Sequence, residues 1–120
     1  MRLLVCGSRD FTDQDAANAA LDRAHAHKPI TLVIHGAARG ADTCADLWAK
    51  GRRIPVMRFP ADWSRHGRAA GPMRNDEMLF SGRPDGVCAF PNGPRGERSG
   101  TADMVRKARI AGLPVWFPLG

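Results

Sequence analysis

Short apolar runs alternate with helix-patterned segments along the whole chain, and this alternation limits the possible folds more than any other feature. Leu3 to Cys6 is an apolar run ending at Gly7-Ser8, the pattern of a strand buried on both faces and closed by a turn. Thr12 followed three residues later by Asp15 signals a helix entry, and Ala16, Ala17, Ala19, Ala20, Leu21 and Ala24 carry that helix toward Lys28-Pro29. Ile30 to Ile34 is rich in β-branched residues and ends at His35-Gly36, while Asp42 to Lys50 has helical spacing and stops at Gly51. Ile54 to Phe59 reads as a strand despite Pro55, and Pro60 to Gly67 reads as a loop. A helix from about Ala69 to Phe80 follows, with Gly71-Pro72 near its start, where proline is tolerated. Gly86 to Phe90 is a fourth strand, Pro91 to Gly100 a loop rich in Gly, Pro and Arg, Thr101 to Ala111 a helix, and Leu113 to Phe117 a last strand.

The order βαβαβαβαβ predicts a parallel sheet of about five strands, doubly wound with helices on both faces, in one Rossmann-like α/β domain over residues 1–120. A chain of 120 residues suits one core and no more. No apolar run approaches the roughly 20 residues that span a bilayer, and the N-terminal run is too brief for a signal-peptide core. A cytoplasmic protein is therefore expected. Cys6, Cys44 and Cys88 are far apart, odd in number and form no CxxC pair, so they read as buried apolar residues, not a disulfide framework or zinc site. No metal or cofactor is expected. The net charge of +6 favours an anionic partner. Arginine outnumbers lysine fifteen to three, which suits bidentate phosphate contacts.

In an open parallel sheet, ligands bind beyond the carboxyl ends of the strands, so the residues after each strand carry the functional information. They are Gly7-Ser8-Arg9-Asp10-Phe11, His35 through Asp42, Ala61-Asp62-Trp63, and Asn92-Gly93 through Thr101. Gly36 and Gly40 flank Arg39 ahead of one helix, and Gly100-Thr101 opens another. A Gly-rich strand-to-helix turn lets backbone amides approach a phosphate, and the helix N-terminus adds partial positive charge. Neither segment is the dinucleotide GxGxxG or the P-loop with its lysine. Arg9 and Arg39 are candidate phosphate clamps, against a reading as solubilising charge. Asp42 and Asp10 read equally as helix-entry acids and as ribose contacts. Trp63 reads as a base platform, a pocket cover or a core anchor. Arg74 is placed to face the pocket and Met78 the core. His35 and His66 lack metal spacing and read as structural.

Gly7-Ser8-Arg9-Asp10-Phe11, His35 through Asp42, Ala61-Asp62-Trp63 with His66-Gly67, Ala70-Gly71-Pro72 with Arg74-Asn75 and Met78, and Gly100-Thr101-Ala102-Asp103-Met104 together resemble the SLOG superfamily in its small YspA-like, YpsA-related branch. The resemblance implies a Rossmann-like fold that binds nucleotides or nucleotide-derived ligands, with members proposed as sensors in stress or phage-conflict systems. It also implies a distant link to LOG-type phosphoribohydrolases, whose pattern is an Arg-Lys-x-x-Met helix and a Pro-Gly-Gly-x-Gly-Thr-x-x-Glu loop. This chain keeps Arg74, Met78, Gly100 and Thr101 but has Asn75 in place of the lysine and Met104 in place of the glutamate. Methionine does no carboxylate chemistry, and Asp103, one residue earlier, points about 100° away on a helix. The same superfamily includes the DNA-processing protein DprA.

The leading expectation is a ligand-binding or sensor domain in which Gly7, Ser8, Arg9, Gly36, Arg39, Gly40, Gly100 and Thr101 surround a phosphoribosyl group. Asp10, Asp42, Trp63 and Arg74 complete its surroundings. One alternative is a nucleoside-monophosphate N-glycosidase with Arg74 and either Asp103 or Asp10 as its catalytic groups. The other is a single-stranded DNA-binding module, which ranks lower because the chain has no Tyr and few aromatics for a stacking groove. A homodimer or larger homo-oligomer is expected from apolar helix surface left uncovered by so small a domain.

Overall fold

The computed structural model of the chain describes residues 1–91 and 99–120. Its strands are β1 (Arg2–Cys6), β2 (Leu32–His35), β3 (Val56–Arg58), β4 (Gly86–Ala89) and β5 (Val115–Trp116). Its helices are α1 (Gln14–His27), α2 (Ala41–Gly51), α3 (Trp63–His66), α4 (Ala70–Gly82) and α5 (Gly100–Ile110), with a 3₁₀ turn at Gly67–Ala69 between α3 and α4. The five strands form one parallel sheet in the order β3-β2-β1-β4-β5.

The apolar strands are continuous because both faces of the sheet are covered. Side chains alternate along a strand, so Leu3 and Val5 of β1 enter one core while Leu4 and Cys6 enter the other. The first core joins them to Ala17, Ala20 and Leu21 of α1 and to Cys44, Ala45, Trp48 and Ala49 of α2. The second joins them to Met78 of α4 and to Met104, Val105 and Ala108 of α5. All three cysteines are free and buried. Desolvation by burial, the first cause at each, raises the thiol pKa of Cys6 and Cys44 and pushes that of Cys88 up to about 12.

The element order matches the alternation in the sequence, with two local differences. Helix α1 begins from Asp13, whose side chain accepts from the Ala16 amide at 3.0 Å, so the cap lies one residue after Thr12. The segment expected as a loop over residues 60–67 contains α3, which Asp62 caps by accepting from Arg65 N at 3.1 Å. Gly67 closes that turn with a φ of +55°. The expected loop over residues 91–100 lies largely outside the described residues, including Asn92, Gly93 and Glu97. No helix among the described residues is long and apolar enough to cross a membrane. Phe80 and Ile110, near the ends of α4 and α5, are the most exposed of the large apolar side chains.

The chain runs outward from β1 through β2 to β3 and then returns to β4 on the other side of β1. The direction of travel therefore reverses between β1 and β4, the point where open parallel sheets leave a crevice at their carboxyl edge.

Candidate functional site

The first wall of the crevice is the β1–α1 loop, which is anchored by its own backbone. Ser8 N donates to Pro91 O at 2.8 Å, and Ser8 O accepts from Phe11 N at 3.2 Å and from Ala41 N at 3.1 Å. Ser8 Oγ accepts from Asp10 N at 3.0 Å. Phe11 stacks on Phe90 with ring centroids 5.0 Å apart. A Cβ on Gly7 would lie 2.6 Å from Ala41 Cβ and 2.8 Å from Phe90 Cβ, so only glycine lets β1, α2 and the end of β4 meet here. Gly40 has a φ of +81°, and the Ser8 carbonyl occupies the space of a Cβ. The result is a fixed turn that presents Arg9 and Asp10 to solvent.

The β2–α2 loop is held by two buried side chains. Asp42 Oδ2 accepts from Gly36 N at 3.0 Å and from Ala38 N at 3.2 Å. Burial pushes this carboxyl above its ordinary pKa, opposed by the Ala38 amide, by the charge of Arg74 and by the Gly36 amide. His35 Nδ1 accepts from Ala37 N at 2.9 Å and steadies Ala37 at a φ of +57°. That bond leaves Nε2 as the protonated nitrogen, donating to Asp46 Oδ1 at 2.8 Å. Asp46 also meets Lys50 Nζ at 3.0 Å and Arg58 Nη2 at 2.8 Å. Burial opposes the charge on Asp46, but hydrogen bonds from His35 and Lys50 and the charge of Arg58 outweigh it, so its pKa is lowered.

Helices α4 and α5 close the opposite side. Arg74 donates from Nη1 to Gly36 O and from Nε to Asn75 Oδ1 at 3.1 Å. Its guanidinium lies where a Gly36 Cβ would be. Burial lowers the Arg74 pKa, partly offset by the charge of Asp42. Asn75 is buried and donates from Nδ2 to Gly100 O at 3.1 Å and to Asp103 Oδ2 at 3.0 Å, tying α4 to the start of α5. Asp103 also meets Lys107 Nζ and Arg106 Nη2, each at 3.0 Å. Burial opposes its charge, but the Asn75 and Lys107 hydrogen bonds and the charges of Lys107 and Arg106 hold its pKa below the ordinary value. Ser99 Oγ caps α5 by accepting from Ala102 N at 3.0 Å, which leaves the Gly100 and Thr101 amides without an intrahelical partner.

Between these walls lies a cavity of about 610 Å³ at the carboxyl edge of the sheet. Among the described residues it brings together Gly7, Ser8, Arg9, Asp10, Arg39, Asp42, Trp63, Arg74, Gly100, Thr101 and Asp103, all expected from the sequence to lie near a ligand. Gly36 lies outside that lining. It borders a neighbouring cavity of about 400 Å³, together with Pro60, Ala61 and Trp63. Gly40 lines neither cavity and instead packs beneath the Ser8-Arg9 backbone.

The cavity also includes Arg68 and Arg106, which reading the sequence for pocket residues did not select, and Asn75 and Ser99, which fell within the quoted motifs without a role in the pocket. Asn75 had a detectable signal, since it sits three residues before the core residue Met78 and so on the buried side of α4. Five guanidiniums, those of Arg9, Arg39, Arg68, Arg74 and Arg106, outnumber the carboxylates of Asp10, Asp42 and Asp103. No group of His, Cys, Asp or Glu suited to hold a metal ion occurs among the described residues.

A doubly wound parallel sheet with a cation-rich crevice at its switch point defines a Rossmann-like α/β protein. The chain belongs to the SLOG family described as YspA, cpYpsA-related, whose model matches residues 1–66, just over half of the chain. It is also similar to the Gene 61 protein of Mycobacterium phage D29, 40% identical over 120 residues, which cover 95% of this chain and 93% of the phage protein. The family match contains the β1–α1 and β2–α2 loops and Trp63, whereas α4 and α5 lie beyond it. Membership in this family suggests a nucleotide-related ligand-binding role.

Proposed function

We propose that the cavity binds a nucleotide or a nucleotide-derived phosphoribosyl ligand, and that the protein acts as a ligand-binding or sensor domain. The observation that carries this reading is the meeting of the Gly100 and Thr101 amides, which have no backbone partner among the described residues, with five guanidiniums in one 610 Å³ crevice. Oriented amides at a helix start and planar arginine donors are complementary to phosphate. The volume lies within the range of small-molecule sites. Arg39 and Arg68 are exposed and have no acidic partner among the described residues, which leaves their donors available to an anion.

A thermal-shift series with nucleoside 5′-monophosphates, ADP-ribose, NAD, cyclic nucleotides and ribose 5-phosphate tests the proposal. A ligand bound only by the folded state raises the melting temperature. The expected outcome is a rise with at least one compound that is lost or strongly reduced in Arg39→Ala and in Arg106→Ala. No rise with any compound would remove the proposal.

Hydrolysis of the N-glycosidic bond is the second reading. Met104 is fully buried in the core, and Asp103 is the α5 acid that lines the cavity. With its pKa held low, Asp103 is suited to stabilising positive charge at an oxocarbenium-like centre and unsuited to donating a proton. Release of free base from a nucleoside monophosphate, abolished by Asp103→Asn, would establish hydrolysis. Binding without release supports the sensor reading.

A further inference from the structure

We infer that Trp63 and Arg9 form the stacking site for a nucleobase, so that the ligand is a base-bearing nucleotide and not a bare sugar phosphate; this rests on the function proposed above. Trp63 is 48% exposed, whereas Trp48 is 1% exposed and anchors the core. An exposed indole forgoes the burial that ordinarily stabilises so large a side chain. Nevertheless, it is held in place. Asp62 Oδ1 accepts from Arg65 N at 3.1 Å and from Ser64 Oγ at 2.9 Å, fixing the turn that carries Trp63. The far edge of the ring lies against the backbone of α4 at Gly71, where an added Cβ would be 3.3 Å from Trp63 Cη2. The Arg9 guanidinium lies over the ring, 5.2 Å from its centroid.

The position of this pair gives the cavity two chemically different ends. Trp63 follows β3, and Gly100 and Thr101 follow β4. In the sheet order these strands are three spacings apart, roughly 14 Å at about 4.8 Å per spacing. One end therefore offers a flat aromatic face with a planar cation, and the other offers helix-start amides and Arg106. A nucleotide has a matching polarity, with a π-faced base and an anionic phosphate on opposite sides of ribose. Ribose 5-phosphate has nothing to place on the indole. Arg9 can shift aside on its flexible side chain or stack on the far face of the base.

The test is calorimetric titration of the full chain with ribose 5-phosphate and with the four nucleoside 5′-monophosphates in turn. Stacking of a base on an aromatic side chain predicts that at least one monophosphate binds ~10-fold or more tightly than ribose 5-phosphate. Trp63→Ala is expected to erase that difference while leaving ribose 5-phosphate affinity unchanged, and Trp63→Phe to restore most of it. Equal affinities for ribose 5-phosphate and every monophosphate in the unsubstituted protein would overturn the stacking site and leave the proposed function standing. A parallel loss of affinity for all the compounds in Trp63→Ala would also overturn it, because that pattern marks a structural role. Absence of binding by all of them would remove the proposed function and the stacking site with it.

Discussion

At Gly40 a positive φ and the nearby Ser8 carbonyl both exclude a side chain. Gly40→Ala is therefore expected to lower the unfolding free energy by about 2 kcal/mol or more, combining left-handed strain with overpacking, as urea denaturation would measure. Gly7, Gly36 and Gly40 were all legible as turn glycines, but their neighbours were not. The Cβ positions at all three are filled by protein atoms, from Ala41 and Phe90, from Arg74, and from Ser8 and Arg9. A sequence shows that a backbone needs room, whereas tertiary packing decides what takes it. Asn75 makes the same point, because its three partners lie on two helices and one of them is a backbone carbonyl. Asn75→Ala leaves the Asp103 carboxylate and the Gly100 carbonyl without this donor. It is expected to cost about 1–3 kcal/mol in stability. Titration of Asp103 followed by NMR should show its pKa moving up toward the ordinary carboxylate value.

Asp46 links α2 to the ends of β2 and β3 through His35 and Arg58, and it pairs within α2 with Lys50. Its folded pKa is depressed, so its contribution to stability is present above the unfolded carboxylate value of 3.8 and is lost as pH falls through the folded value. Asp46→Asn should therefore be less stable than the unsubstituted protein at neutral pH, with the gap narrowing below about pH 4. Unfolding curves collected across that range would check the sign. A gap that widened on acidification would contradict it. The long elements were legible because periodicity accumulates over many residues, as in α1 with its alanines and β1 with its four apolar residues. Helix α3 has four residues and too little period to see. Its readable signal was Asp62, a capping residue three positions before Arg65.

For the whole molecule, the two-faced burial of the sheet was legible in the continuous apolar strands, and the crevice followed from the reversal of strand order. The sequence could not reveal the partition of the crevice into a large cavity and a smaller neighbour, with Arg9, Ala38, Arg39, Trp63 and Arg74 bordering both. The net charge of +6 also attracts nucleic acid, and salt separates the two kinds of partner. A protein that grips 6–10 phosphates of a nucleic acid loses about 10³–10⁵ in affinity between 50 and 200 mM salt. A pocket that takes one nucleotide should lose far less, because a mononucleotide carries no condensed counterion atmosphere to release and only ordinary screening weakens it. Binding isotherms at the two salt concentrations should show the shallow dependence for a nucleoside monophosphate and no tight binding of single-stranded DNA at the higher one.

An amide-resolved NMR titration with nucleoside 5′-monophosphates reports where on the molecule the ligand sits. The largest shifts are expected at the Ser8, Arg9, Gly100 and Thr101 amides and at the Trp63 indole, on the carboxyl edge of the sheet. Shifts confined to the amino edge or to the outer faces of the helices, or no shifts at all, would contradict binding in the cavity.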